Sequence, residues 1–155
     1  VQAWRHVVDR FRALHATNVR FVWCPNVTWR GSTRTTYADL FPGDRYVDLV
    51  GVDGYNGGRD LDWGGWQSFA DIVDTSLDAL AALSSRDVWI YEVGSAEAGG
   101  SKAAWIAEMW TALAQRRQIT GLVWFNERRE ADWRVDSSPQ ALAAMRAGLG
   151  SLAAR

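Results

Sequence analysis

Glu92 follows the apolar run Val88-Trp89-Ile90-Tyr91, so a carboxylate stands where a buried strand ends. In that setting it is a nucleophile or general acid/base, or a salt-bridged structural glutamate; the residue alone weighs the two equally. Cleaving a glycosidic bond takes two carboxylates, about 5–5.5 Å apart in the retaining route. Asp53 and Tyr55, in Val52-Asp53-Gly54-Tyr55, are two residues apart and project to one side of an extended segment. A tyrosine hydroxyl donating to a carboxylate orients it and keeps it charged. The competing reading is a turn aspartate before glycine and a core tyrosine.

Aromatic residues are the next candidates. Ten tryptophans in 155 residues is a heavy load, and several stand beside Asn, Gly, Asp or Arg. Trp23, Trp124 and Phe125 are either core or sugar platforms; since neighbours on a strand alternate faces, only one of Trp124 and Phe125 faces a site. Asn26, Trp29, Trp63, Trp66 and Asn126 fall in loops, where a tryptophan more often anchors the loop than carries a sugar. His6 and His15 belong to the first helix, away from strand ends. Glu127 and Glu130, with Arg128 and Arg129, read as a solvated ion-pair cluster. Cys24 reads as a buried small side chain. No His/Cys/Asp cluster has metal-ligand spacing, and no cofactor is implied.

The elements that position these residues follow from periodicity. Ala3, Trp4, Val7, Val8, Phe11 and Leu14 stripe a helix from Gln2 to Ala16. Strands are expected at Val19–Cys24, stopped by Pro25, at Tyr46–Val52, at Asp87–Tyr91 and at Ile119–Phe125. A short helical piece starts near Tyr37. Ser68 with Asp71, Ser101, and Ser138 before Pro139 open three further helices, the last running to about Leu149. The alternation of near-continuous apolar strands with helices predicts an α/β fold with four parallel strands. The site then belongs at the strands' carboxyl ends: Pro25-Asn26, Asp53-Gly54-Tyr55-Asn56, Glu92 and Trp124-Phe125-Asn126.

Composition narrows the class. The length and the 48% hydrophobic fraction suit one packed domain. A net charge of −1 without long like-charge runs argues against nucleic-acid binding. One cysteine excludes an internal disulfide framework. No apolar stretch has membrane-spanning length, and the N-terminus lacks signal-peptide features. The single lysine against sixteen arginines reads as compositional bias. No phosphate-binding glycine fingerprint or nucleophile elbow follows any strand, which disfavours a nucleotide-binding fold or a small α/β hydrolase.

Ala3-Trp4-Arg5-His6-Val7-Val8, Val22-Trp23-Cys24-Pro25-Asn26, Tyr46 through Asn56, Ile90-Tyr91-Glu92-Val93-Gly94-Ser95 and Val123-Trp124-Phe125-Asn126 carry a resemblance in order and spacing to glycoside hydrolase family 26. Lys102-Ala103-Ala104-Trp105-Ile106 and Asp132-Trp133-Arg134 add to it. The resemblance implies retaining, metal-independent endo-β-1,4-mannanase chemistry on a (β/α)8 TIM barrel, acting on an extracellular polysaccharide. It implies that Glu92 is the nucleophile on the seventh barrel strand and that Tyr55 hydrogen-bonds it. Asp53, Trp23 and Asn26 fall at the substrate site, and Trp124 is the platform under the sugar. The family's acid/base glutamate, on the fourth strand, has no counterpart. A whole barrel takes about 250 residues, so residues 1–155 are expected to be the C-terminal half of the catalytic domain, helix 4 through helix 8. Such a half is expected to be inactive alone and to self-associate through its open edges. A carbohydrate-binding domain without catalysis is the rival that the tryptophans support equally.

Overall fold

The computed structural model describes residues 1–28, 35–63 and 65–153; Trp29 lies outside them. One sheet holds β1 (Val22–Trp23), β2 (Leu49–Asn56), β3 (Val88–Ser95) and β4 (Ile119–Trp124), all parallel, in the order β1-β2-β3-β4. Each strand therefore lies beside its predecessor, as a winding barrel requires, whereas a doubly wound sheet reverses order at a switch point. The fold is α/β, with the strand and helix order of the C-terminal half of a (β/α)8 barrel.

The helices are α1 (Gln2–Ala13), α2 (Tyr37–Leu40), α3 (Phe69–Leu83), α4 (Lys102–Gln115) and α5 (Pro139–Ala153). Their starts are chemical. Thr36 and Asp39 form a reciprocal capping box on α2, Ser68 accepts from the Asp71 amide at 3.0 Å, Ser101 from Ala104 at 3.2 Å and Ser138 from Ala141 at 3.2 Å. Each satisfies an amide that the first helical turn leaves orphaned.

Strand ends differ from the sequence expectation for identifiable reasons. β1 shrinks to two residues before Pro25, although Asn26 still bridges to Asp53. Asp44–Tyr46 winds into a 3-10 turn, which delays β2 to Leu49. β2 then runs straight through Asp53-Gly54, because Gly54 serves close packing rather than a turn: a Cβ there would stand 2.8 Å from Ile72 of α3 and 3.0 Å from Val27.

The two faces of the sheet have different jobs. Val50, Val52, Val88, Ile90 and Val93 face the helices and bury against Phe69, Val73, Leu77 and Leu80 of α3 and Trp105, Ile106 and Met109 of α4. On the opposite face Trp89 and Tyr91 stack, 5.5 Å between centroids at 23°, across glycines on both flanking strands. A Cβ at Gly51 would stand 2.5 Å from the Tyr91 ring, and one at Gly121 2.2 Å from the Trp89 ring. Of the apolar stripe on α1 only Val8 is buried; Val7, Phe11 and Leu14 are exposed. Trp4 holds this helix to the 3-10 turn through a 2.9 Å bond from its indole N–H to the Tyr46 carbonyl.

Candidate active site

A β-bulge decides where Glu92 points. Val52 pairs with Ile90 and Asp53 with Glu92, so β3 carries one residue more than β2 between those rungs. Strict alternation from Tyr91 would turn Glu92 toward the helices. The extra residue re-aims it to the Asp53 and Tyr55 side and returns Val93, 0% exposed, to the core. The Tyr55 hydroxyl donates a short hydrogen bond to Glu92 Oε2.

The Tyr55 ring is fixed by neighbours. Trp133 lies 4.9 Å away, tilted, and Phe125 5.8 Å away, edge-on. Burial, then the bond to Glu92, raises the Tyr55 pKa beyond its ordinary value, so the phenol stays protonated and remains a donor. Asp53 accepts from the Cys24 thiol, Sγ to Oδ1 3.2 Å. Burial raises the Asp53 pKa; the bond from Cys24 lowers it in part, and the Glu92 charge raises it again. Burial, followed by the bond to Asp53, pushes the Cys24 thiol well up, which makes it a hydrogen-bond donor rather than a thiolate nucleophile.

Asn26 is exposed beside this pair, and its carbonyl accepts from the Tyr37 hydroxyl at 2.6 Å. A cavity of about 670 Å³ opens next to it, lined by Asn26, Asp53, Tyr55, Trp63, Gln67 and Ile72 among others. Glu92 stands outside that lining, exposed, on the far side of the Tyr55 hydroxyl bond. Among the described residues, no group of three or more His, Cys, Asp or Glu is arranged to hold a metal ion.

Glu92, Tyr55, Asp53 and Asn26 therefore come together; two tryptophans do not. Trp23 is buried, edge-on to Tyr37 at 5.7 Å and Phe41 at 5.1 Å. It faces the helical layer because Cys24, its neighbour, takes the Asp53 side. Trp124 packs with Leu122 on the helix side of β4, 6.1 Å from Trp105, and its indole N–H donates to the Trp133 carbonyl at 2.8 Å. Both rings therefore pack on the helix side of the sheet, away from Glu92 and Tyr55, which departs from the platform position expected for Trp124 and the substrate-site position expected for Trp23. Alternation gives the site side of the β4 end to Phe125 instead.

Of the loop residues, Trp66 is an anchor, close enough to Gly100 that a Cβ there would fall 2.3 Å from its ring. Trp63 is exposed at the cavity. Asn126 braces its loop by accepting from the Val135 amide at 2.7 Å. Glu130 accepts from the Trp133 indole at 3.2 Å, and among the described residues neither it nor Glu127 pairs with Arg128 or Arg129. The sequence marked Trp133 and Lys102 only as parts of motifs and gave neither a place at the site; Trp133 is fully buried behind Tyr55, and Lys102 is 1% exposed. The signal available for Lys102 was its being the one lysine of the chain.

Comparison with known proteins places this geometry. The model of glycosyl hydrolase family 26 matches residues 1–122. Endoglucanase H of Acetivibrio thermocellus is 43% identical over 156 residues, covering 97% of this chain but 17% of that protein. Among solved structures, a mutant GH128 (subgroup I) endo-β-1,3-glucanase from Amycolatopsis mediterranei in complex with laminarihexaose superposes with a TM-score of 0.61 at 18% identity, over 93% of this chain and 64% of that one. The same enzyme with laminaritriose gives 0.59 at 19%, over 94% and 65%. At such identities the likeness is one of fold, a barrel of which this chain has part. With four fifths of its length matched by the family model, the chain belongs to glycosyl hydrolase family 26.

Proposed function

We propose that residues 1–155 form part of the catalytic domain of a retaining endo-glycosidase and supply its nucleophile, Glu92. The observation that carries this reading is the Tyr55 hydroxyl donating to Glu92 beside Asp53, at the carboxyl ends of adjacent parallel strands. The Glu92 carboxylate attacks the anomeric carbon, and the bond to the leaving sugar oxygen breaks. A second carboxylic acid, outside the four strands, gives that oxygen its proton and then takes one from the water that hydrolyses the glycosyl ester. Tyr55 orients Glu92, while Asp53 and Asn26 contact sugar hydroxyls.

The substrate is a secreted enzyme's β-linked polysaccharide, with β-1,4-mannan the first expectation. A β-glucan is the second reading, favoured by the name of the 43% identical relative. The test is Glu92→Gln in an enzyme with the complete barrel. Reducing-end release from mannan and β-glucan should fall by at least 10³-fold while oligosaccharide binding persists. Unchanged turnover would sink the nucleophile assignment; sugar binding without turnover in the unaltered enzyme would make this a carbohydrate-binding domain. The 155-residue chain alone should release no reducing ends and should self-associate through the free edges of β1 and β4.

A further inference from the structure

Lys102 opens α4 and is 1% exposed. A cation in the first turn opposes the helix dipole, so helix stability does not explain it. Its ammonium has three N–H groups, and all three are used: they donate to the Asp132 carbonyl at 3.0 Å, the Arg134 carbonyl at 2.7 Å and Ser137 Oγ at 2.9 Å. The Ser137 hydroxyl passes on to Glu97 Oε1 at 2.7 Å. Two of the three acceptors are the carbonyls on either side of Trp133, the residue whose ring backs Tyr55.

The clamp is reinforced from other directions. The Trp133 carbonyl accepts from Trp124 and its amide donates to the Glu127 carbonyl at 3.0 Å. Lys102 Nζ also lies 5.8 Å from the Trp124 ring centroid. Burial pushes the ammonium down to about 8; Glu97, Asp132 and Asp136 oppose that, and Arg134 adds to it. At neutral pH the group is still a cation with all three donors.

We propose that Lys102 is a positioning residue for the Tyr55–Glu92 pair, acting through the peptide groups on either side of Trp133. This rests on the reading of Glu92 as nucleophile. With the clamp removed, the 132–137 segment loses its fixed register, Trp133 no longer presses on the Tyr55 ring, and the hydroxyl no longer holds one carboxylate oxygen. A substrate contact is not involved, so turnover should suffer and binding should not.

The experiment is a double-mutant cycle of Lys102→Met and Tyr55→Phe in an enzyme with the complete barrel. Lys102→Met should lower kcat about tenfold and leave KM within about twofold, and the double variant should be no slower than Tyr55→Phe alone. Multiplying losses would mean that Lys102 acts independently of Tyr55, and would overturn the proposal. Should Lys102→Met fail to fold, Ser137→Ala withdraws one acceptor and should show the same non-additivity, weaker. In the 155-residue chain itself, Lys102→Met should speed hydrogen exchange at the Trp133 indole; an unchanged rate overturns the clamp. If Tyr55→Phe and Glu92→Gln both turn over normally, the catalytic reading fails, and the proposal with it, while the exchange result still reports on the clamp.

Discussion

Replacing Trp124 by alanine separates the two roles a strand-end tryptophan can have. On the helix side of β4 it is half-buried against Trp105 and donates to the Trp133 carbonyl. Truncating a fully buried tryptophan costs about 3–5 kcal/mol; half of that is about 2 kcal/mol. Losing the indole hydrogen bond adds about 1 kcal/mol, so the total is about 3 kcal/mol. With a urea m-value of about 2 kcal/mol/M for a chain of this size, the midpoint should drop by about 1.5 M. The assay is urea unfolding of the 155-residue chain followed by far-ultraviolet circular dichroism. In the complete enzyme, Phe125→Ala should instead weaken substrate processing with a much smaller loss of stability. A Trp124→Ala chain with an unmoved midpoint, in an enzyme that no longer binds oligosaccharide, would refute the helix-side placement.

Gly121→Ala should cost about 1–3 kcal/mol, because its Cβ would meet the Trp89 ring at 2.2 Å and that ring is already stacked on Tyr91. Gly150→Ala, in α5 with nothing within 4 Å of its Cβ, should instead stabilise by about 0.5–1 kcal/mol, and thermal melts of the two variants give the comparison. In acid, the hydrogen bond from Arg134 holds the Asp132 carboxyl at about 2 against an ordinary 3.8. The folded chain therefore keeps this charge where the unfolded one has taken up a proton. Its contribution should be intact above pH 4 and lost as pH falls from 3.8 through 2, read as faster amide exchange in 132–137.

Much of this architecture was legible in residue chemistry. Ser68, Ser101 and Ser138 marked helix starts because a hydroxyl before an apolar-periodic run has one favoured use, and the strand-end residues Asp53, Tyr55 and Glu92 converge because parallel strands put their carboxyl ends on one side. Register was the part that could not be read. The bulge before Glu92 leaves no mark in Ile90-Tyr91-Glu92-Val93: without it, counting by two from Tyr91 sends the carboxylate into the core. For Trp124 and Phe125, alternation showed that one faces the site but supplied no reference to say which. That reference is Gly121. Its missing Cβ makes room for Trp89, which puts Gly121 and Val123 on the open face and Leu122 and Trp124 against α4.

The same logic sorts the tryptophans, whose number suggested a sugar-binding surface. Trp23, Trp105, Trp124 and Trp133 are used for packing, and three of the four satisfy their indole N–H inside the protein, through Gln67, the Trp133 carbonyl and Glu130. For Trp105 and Trp124 a large ring with one polar atom suits the layer between sheet and helices, where backbone carbonyls of connecting loops lie within reach. Trp133 packs instead behind Tyr55. Trp63 differs, being exposed at the cavity that Asp53 and Tyr55 line. A count of aromatics therefore measures how the barrel layers are filled; the chemistry follows from which few polar side chains a bulge and two strand-end positions turn to the open face. Had β3 kept strict alternation, Asp53 and Tyr55 would face that side without the Glu92 carboxylate between the strand ends, and Glu92 would point into the core with Val93 turned out.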